Sequence, residues 1–243
     1  MKRITRAPRN LLTLKDVATH THHWVSKAKK LPQPADEPYP ETLRGYIDQW
    51  ANGVLDIVKM KRKRLGEPAR GEPVLLVGNH ISYLDIPLLV SQTPAVFVAK
   101  KEVASFPVFG AAAKSIGTLF VERESKNSRQ QISDAVAHCL KIRRQSVAMF
   151  PSGTTRMDES EPWRFGPFKI AKEKNIRIQP FRLRYTPMRT AAYLMEDLML
   201  THLWKLVDSP GLEATIEFHE PVDVTDPEKD AAKWRDWTRE FLR

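Results

Sequence analysis

Cysteine is almost missing from this chain, and the one present, Cys139, excludes an intramolecular disulfide and any multi-cysteine metal site. That scarcity suits a reducing compartment, and Cys139 itself reads as a small buried residue on a helix face. Long apolar runs are missing too. No stretch approaches the ~20 apolar residues needed to span a bilayer. The basic start, Met1-Lys2-Arg3, has no apolar region of signal-peptide length behind it. The chain is therefore expected to be cytoplasmic, with any membrane contact peripheral.

What is present suffices for a folded body. The chain has 243 residues, 42% of them hydrophobic, enough for one α/β domain plus an appendage. Its net charge of +10 is unevenly placed: residues 1–70 carry 15 Lys/Arg against 7 Asp/Glu, and the remainder carries 24 against 22. Such asymmetry points to a polyanionic surface, either nucleic acid or an anionic bilayer. Nucleic acid is set aside, because there is no aromatic–basic interleaving and no recognisable binding module.

Residues 1–40 show little pattern. His20-Thr21-His22-His23 reads as a solvated loop or helix end rather than a metal site, and no metal is expected. Residues 31–40 hold four prolines and read as an extended linker. A helix is predicted over residues 41–63, where Leu43, Ile47, Trp50, Val54, Leu55 and Val58 form one apolar stripe. Lys59, Lys61, Arg62, Lys63 and Arg64 cluster at its end. Two readings stay open. Either the stripe packs on the body and the cations answer the helix dipole, or Trp50 sits at a lipid interface with the cations on anionic headgroups.

From residue 72 onward, strand-like and helix-like segments alternate. Apolar runs at residues 74–77, 95–99, 117–123, 147–150, 176–181 and 215–218 read as strands. Helices are predicted at residues 86–90, from a capping box at Ser128-Arg129-Gln130-Gln131, at 165–174, over a Met- and Leu-rich 190–207, and at 230–242. Alternation of this kind predicts an α/β fold with a mostly parallel sheet flanked by helices. The N-terminal stripe adds an amphipathic helical appendage.

The strands end in polar groups: His80, Lys100, Arg123, and the turn Ser152-Gly153-Thr154-Thr155. Parallel strands would bring these to one edge, where open α/β sheets bind ligands. A base, two cations and a hydroxyl-rich glycine turn there suit an anionic, phosphorylated substrate. His80 and Asp85 are the sharpest pair. On a continuous helix five residues turn about 500°, so the side chains would diverge. A strand-to-helix loop lets the Asp85 carboxylate accept the Nδ1 proton of His80, leaving Nε2 as a general base. Asp85 is also placed to N-cap the next helix.

Four blocks in order over roughly residues 72–187 resemble the glycerolipid acyltransferases of the 1-acylglycerol-3-phosphate acyltransferase (PlsC-like) family. They are Asn79-His80-Ile81-Ser82-Tyr83-Leu84-Asp85, Gly117-Thr118-Leu119-Phe120-Val121-Glu122-Arg123, Phe150-Pro151-Ser152-Gly153-Thr154-Thr155 and Ile178-Gln179-Pro180-Phe181. Ala99-Lys100-Lys101-Glu102 is similar to a stretch usual between the first two. The resemblance implies His80 and Asp85 as the catalytic pair. It implies substrate binding by Asn79, Lys100, Arg123, Ser152, Gly153, Thr154 and Thr155, with Arg123 at the acceptor's phosphate. It implies acyl transfer from acyl-CoA or acyl-carrier protein to a lysophospholipid, with no cofactor beyond that co-substrate, at an anionic membrane surface. A non-catalytic, lipid-binding member of the same fold is the alternative. The third block departs from the family's pattern, which has glutamate where this chain has Ser152 and commonly arginine where it has Thr155. On this reading residues 71–243 form the acyltransferase domain and residues 1–70 a membrane-association region.

Overall fold

The computed structural model describes residues 7–31, 37–38, 40–105, 109–121, 126–209 and 211–243. Two helices open the chain, α1 (Ala7–Ala28) and α2 (Glu41–Ile57), followed by strands β1 (Met60–Leu65) and β2 (Leu75–Gly78). Then come α3 (Asp85–Val90), β3 (Ala95–Lys100), α4 (Phe109–Ser115), β4 (Leu119–Val121), α5 (Lys126–Lys141) and β5 (Ser146–Met149). The remainder is α6 (Gly166–Lys174), β6 (Ile178–Thr186), α7 (Met188–Ala191), α8 (Met199–Asp208), β7 (Leu212–Phe218) and α9 (Pro227–Leu242).

The strands form a seven-stranded sheet in the order β1-β7-β6-β2-β5-β3-β4. All pairings are parallel except β6 with β7, so β1 and β7 run against the other five. The α/β, mostly parallel architecture is the one the alternation of segments predicts. The carboxyl ends of β2, β3, β4 and β5 share one edge. β2 is central and wholly buried, which its unbroken apolar run requires. Its side chains alternate: Leu76 joins the core under α2 and α3, while Leu75 and Val77 join the core under α5, α6 and α9. At Gly78 the backbone of β6 comes so close that an added Cβ would lie 2.4 Å from the Phe181 carbonyl oxygen. Only glycine fits at the step from β2 into the loop that carries His80.

Several elements differ from their sequence reading. The helix predicted over 41–63 stops at Ile57, where Lys59 takes a left-handed φ of 56°. The basic cluster beyond it is not a helix end but strand β1, paired residue by residue with β7 from Met60–Leu212 to Leu65–Glu217. Pairing overrides local preference here, because lysine and arginine carry no strand signal of their own. The sheet therefore includes residues on both sides of position 70. The stripe on α2 faces inward: Leu43, Ile47, Trp50, Val54 and Leu55 are all buried, and the Trp50 Nε1–H donates to Thr21 Oγ1. Trp50 is thus a packing residue and not a lipid contact.

Residues 1–40 contain a 22-residue helix, and the histidine run lies inside it, with a His20 ring nitrogen 3.2 Å from the Trp50 carbonyl oxygen. The proline-rich stretch falls largely outside the described residues. α5 begins at Lys126, so Ser128 sits within its first turn and not at its cap. The Met- and Leu-rich segment is two helices, because Asp197 closes a turn between them. Its carboxylate accepts the Leu194 N–H and pairs with Arg189 at 2.8 Å. The Arg189 guanidinium, then the Leu194 amide, hold the Asp197 carboxyl down to about 2.

Helix α9 packs Ala231 and Trp234 into the core, and Arg182 adds the densest polar link between it and the sheet. Arg182 on β6 pairs with Glu217 on β7 at 2.8 Å and donates to the Trp237 carbonyl. Its guanidinium lies 4.0 Å from the Trp237 ring centre and 4.5 Å from that of Phe241. Arg182→Ala removes the ion pair and both ring contacts, and is expected to cost about 2–3 kcal/mol. Thermal unfolding should show a Tm lowered by roughly 4–9 °C. Arg182→Lys should recover little of this, having no planar fork. A Tm unchanged in Arg182→Ala would show that α9 docks without it.

Candidate active site

Asp85 is the first residue of α3 and not its cap; Leu84 holds that position. Its side chain instead reaches back over the loop that precedes it. Oδ2 accepts the backbone N–H of Ile81 at 2.6 Å and of Ser82 at 3.0 Å. The same oxygen lies 2.6 Å from His80 Nδ1. A carboxylate already accepting two backbone donors is the acceptor in this third bond as well, so Nδ1 carries the proton. Nε2 is the nitrogen left to accept one. The Asp85 side chain is fully buried, whereas 22% of the His80 side chain stays exposed. The pair joins a base that reaches solvent to an anion that does not.

The second carboxylate oxygen, Oδ1, accepts the Tyr185 hydroxyl at 2.7 Å. Tyr185 stands on β6, buried in alternation with Phe181 and Leu183. Burial, then the Asp85 charge, pushes its phenol far above the ordinary tyrosine value, so it remains a donor. The His80 ring is stacked on Phe150, 4.2 Å between centroids and 11° from coplanar. The His80 carbonyl accepts the Arg156 N–H at 2.8 Å, which ties the loop after β5 to the loop after β2. Neither Tyr185 nor the Phe150 stack was foreseen. The alternation on β6 marks Tyr185 as a core position, but nothing in the sequence marks where its hydroxyl points.

The other expected site residues take varied positions. Asn79 is fully buried, and its amide is spent on one backbone group pair: Nδ2–H donates to the Leu183 carbonyl and Oδ1 accepts the Leu183 N–H. It anchors the strand end and exposes nothing to a substrate. Lys100 stands exposed at the end of β3. Arg123 lies outside the described residues. Ser152 is 7% exposed and donates to the Thr154 carbonyl, while Gly153 turns with φ 72°. Thr154 and Thr155 are half-buried, and the Thr155 hydroxyl donates to the Tyr193 carbonyl. Tyr193 in turn donates its N–H to Ile81, so the segment joining α7 to α8 leans on the loop of the His–Asp pair.

That segment is locked by His202. Its Nε2–H donates to the Ala192 carbonyl at 2.8 Å, which leaves Nδ1 to accept the Tyr83 hydroxyl at 2.9 Å. Burial lowers the pKa of the imidazole, and burial likewise raises that of Tyr83. Among the described residues no group of three or more His, Cys, Asp or Glu is placed to hold a metal ion.

A histidine held by a buried aspartate, at the carboxyl edge of a parallel sheet, is an arrangement suited to accepting a proton from a bound hydroxyl. The reaction class comes from comparison with known proteins. The family model described as Acyltransferase matches residues 58–184, which run from β1 into β6 and include His80 and Asp85. The chain belongs to this family, and is an acyltransferase. It is 32% identical over 204 residues to a lyso-ornithine lipid O-acyltransferase of Pseudomonas aeruginosa, covering 82% of this chain and 77% of that one. It is 30% identical over 227 residues to a 1-acyl-sn-glycerol-3-phosphate acyltransferase of Neisseria meningitidis, covering 90% and 88%. The crystal structure of the 1-acyl-sn-glycerophosphate (LPA) acyltransferase PlsC from Thermotoga maritima has the same fold, with a TM-score of 0.69 at 17% identity over 98% and 96% of the two chains.

One buried carboxyl near the site titrates unusually. Glu159, in the loop after β5, is 1% exposed, and Trp163 Nε1–H donates to it at 2.6 Å. Burial pushes its pKa up to about 7, with Trp163 and Arg156 partly opposing. A carboxyl raised in the folded state favours folding at low pH and costs stability as pH climbs from about 4.5 to about 7. Above that the cost is complete. Glu159→Gln is therefore expected to match the wild type in urea unfolding at pH 4.5. At pH 8 it should be more stable by about 1–3 kcal/mol. A difference of equal size at both values would refute the titration.

Proposed function

We propose that the protein moves a fatty acyl group from an acyl thioester, either acyl-CoA or acyl-carrier protein, to a hydroxyl of a lysophospholipid such as lysophosphatidate. The reaction serves phospholipid biosynthesis or remodelling. The observation that carries this reading is the 2.6 Å bond between His80 Nδ1 and Asp85 Oδ2, inside the region that matches the family. His80 Nε2 takes the proton of the acceptor hydroxyl as its oxygen attacks the thioester carbonyl carbon. The carbon–oxygen bond forms, the carbon–sulfur bond breaks, and the proton passes from Nε2 to the departing thiolate. Asp85 offsets the charge of the transient imidazolium, and the Phe150 face beneath the ring favours the same cation. The acyl thioester is a co-substrate, and the scheme uses no cofactor or metal.

The acceptor is proposed to enter over the loops at the same edge, with Lys100 toward its phosphate, Ser152, Gly153, Thr154 and Thr155 beside its glycerol, and Arg123 assigned to the phosphate by the family resemblance alone. One observation favours a second acceptor, lyso-ornithine lipid. Ser152 and Thr155 carry no charge and spend their hydroxyls on backbone carbonyls. The loop therefore does not demand a phosphate there. Purified protein is expected to acylate lysophosphatidate from acyl-CoA or acyl-carrier protein. His80→Ala should lose on the order of a thousandfold in kcat. Turnover that survives the substitution would remove His80 as the base, and turnover on lyso-ornithine lipid alone would select the second acceptor.

We further propose peripheral binding at the cytoplasmic membrane face. Among the described residues no helix is long and apolar enough to cross a membrane. Leu11 and Leu12 on α1 are 63% and 58% exposed; Met195, Leu198 and Leu200 are 88%, 76% and 81% exposed. α1 packs against α8, with Asn10 donating to Asp208 at 2.9 Å, so the helices that carry the two groups touch. Apolar residues so placed, on a basic N-terminal third, suit an anionic bilayer. Replacing Leu11, Leu12, Leu198 and Leu200 with serine should leave the fold intact and abolish co-sedimentation with liposomes containing anionic lipid. Binding that persists in the quadruple variant would place the contact elsewhere.

A further inference from the structure

Strand β6 grips the loop of the His–Asp pair at both ends, through the Leu183 backbone at Asn79 and through the Tyr185 hydroxyl at Asp85. We propose that Tyr185 is a positioning residue for acyl transfer, which fixes the Asp85 carboxylate and sets how strongly it holds the His80 proton. This inference rests on the reading of His80 as the base.

Four donors converge on the two oxygens of Asp85, and three of them belong to its own loop: His80 Nδ1 and the amides of Ile81 and Ser82, all on Oδ2. These three could follow the carboxylate if it rotated about its own bond. Tyr185 could not, because its ring is fully packed on the central face of a strand 100 residues away in sequence. It is the only one of the four donors fixed to the sheet, so it sets the plane in which Oδ2 meets the imidazole. It also draws charge toward Oδ1. A carboxylate that donates less of its charge to Oδ2 holds the Nδ1 proton less tightly, and the imidazole is tuned accordingly.

The ring and the hydroxyl can be separated. Tyr185→Phe keeps the packing and deletes one bond; 3-fluorotyrosine at position 185 keeps the bond and makes the phenol a stronger donor. The proton NMR signal of the His80 Nδ1–H reports the bond to Asp85 without any turnover. It is expected to move downfield in Tyr185→Phe, as Oδ2 regains charge, and upfield with 3-fluorotyrosine. In kinetics, Tyr185→Phe should lower kcat on the order of tenfold, with KM for acceptor and donor unchanged. In an Asp85→Ala background the same change should cost nothing further, since the acceptor of the bond is gone.

A signal that stays put, or moves the same way in both variants, would overturn the proposal. So would costs that add in the double variant. Should Tyr185→Phe fail to fold, the fluorinated protein alone decides, because its packing is unchanged. A wild type with no acyl transfer on any acceptor would refute the functional reading and leave the NMR test of Tyr185 intact.

Discussion

One buried negative charge organises this site. The Asp85 carboxylate has no contact with solvent, and a lone anion in such a place would cost several kcal/mol. It is tolerated because every direction around it offers a hydrogen: two loop amides, an imidazole and a phenol. The same four bonds that make the charge bearable determine the shape of the loop from Asn79 to Leu84, the tautomer of His80 and the side of the ring that faces solvent. Charge burial and catalytic geometry are a single arrangement, so a change that relieves one disturbs the other.

Around that anchor the structure grows in two layers of differing firmness. The inner layer is backbone and core: β2 with its close approach at Gly78, the Asn79 clasp on Leu183, and Tyr185. The outer layer is contact between loops: the Phe150 ring against the imidazole, the Arg156 N–H on the His80 carbonyl, and the Tyr193 N–H on the Ile81 carbonyl. Ser152 and Thr155, proposed above to meet the acceptor, belong to the outer layer and answer mainly to neighbouring carbonyls. On the proposed reading, the His–Asp pair is thus insulated from variation in the part that would meet the substrate.

The sequence made the sheet legible because β2, β3 and β5 carry the apolar runs that buried parallel strands require, while β6 and β7 alternate apolar and polar residues. His80 and Asp85 were legible because their spacing makes sense only across a turn. Strand β1 was not. Four consecutive cations look like a helix end, and only the partner strand 152 residues away, with Lys61 opposite Glu213, makes them a strand. The break between α7 and α8 was hidden for a similar reason, since Asp197 acts as a turn only once Arg189 is folded beside it. Tyr185 and Phe150 show the limit for the site itself. Their types fit a core, and their contribution lies in a direction that sequence periodicity does not encode.

The run from Lys61 to Arg64 has a further effect. β1 ends the sheet, and its outer side is free of any other strand among the described residues. Backbone groups in such a row invite another chain to add itself. A second copy attempting this through its own β1 would bring four more cations into register with the first four, a few ångströms apart. The repulsion is long-ranged only while the Debye length is near 10 Å, at about 0.1 M salt, and shrinks to about 3 Å at 1 M. Lys61, Arg62 and Arg64 are already paired with Glu213, Asp56 and Glu67, so the barrier at this edge is modest, and concentrated salt is the condition under which it is weakest.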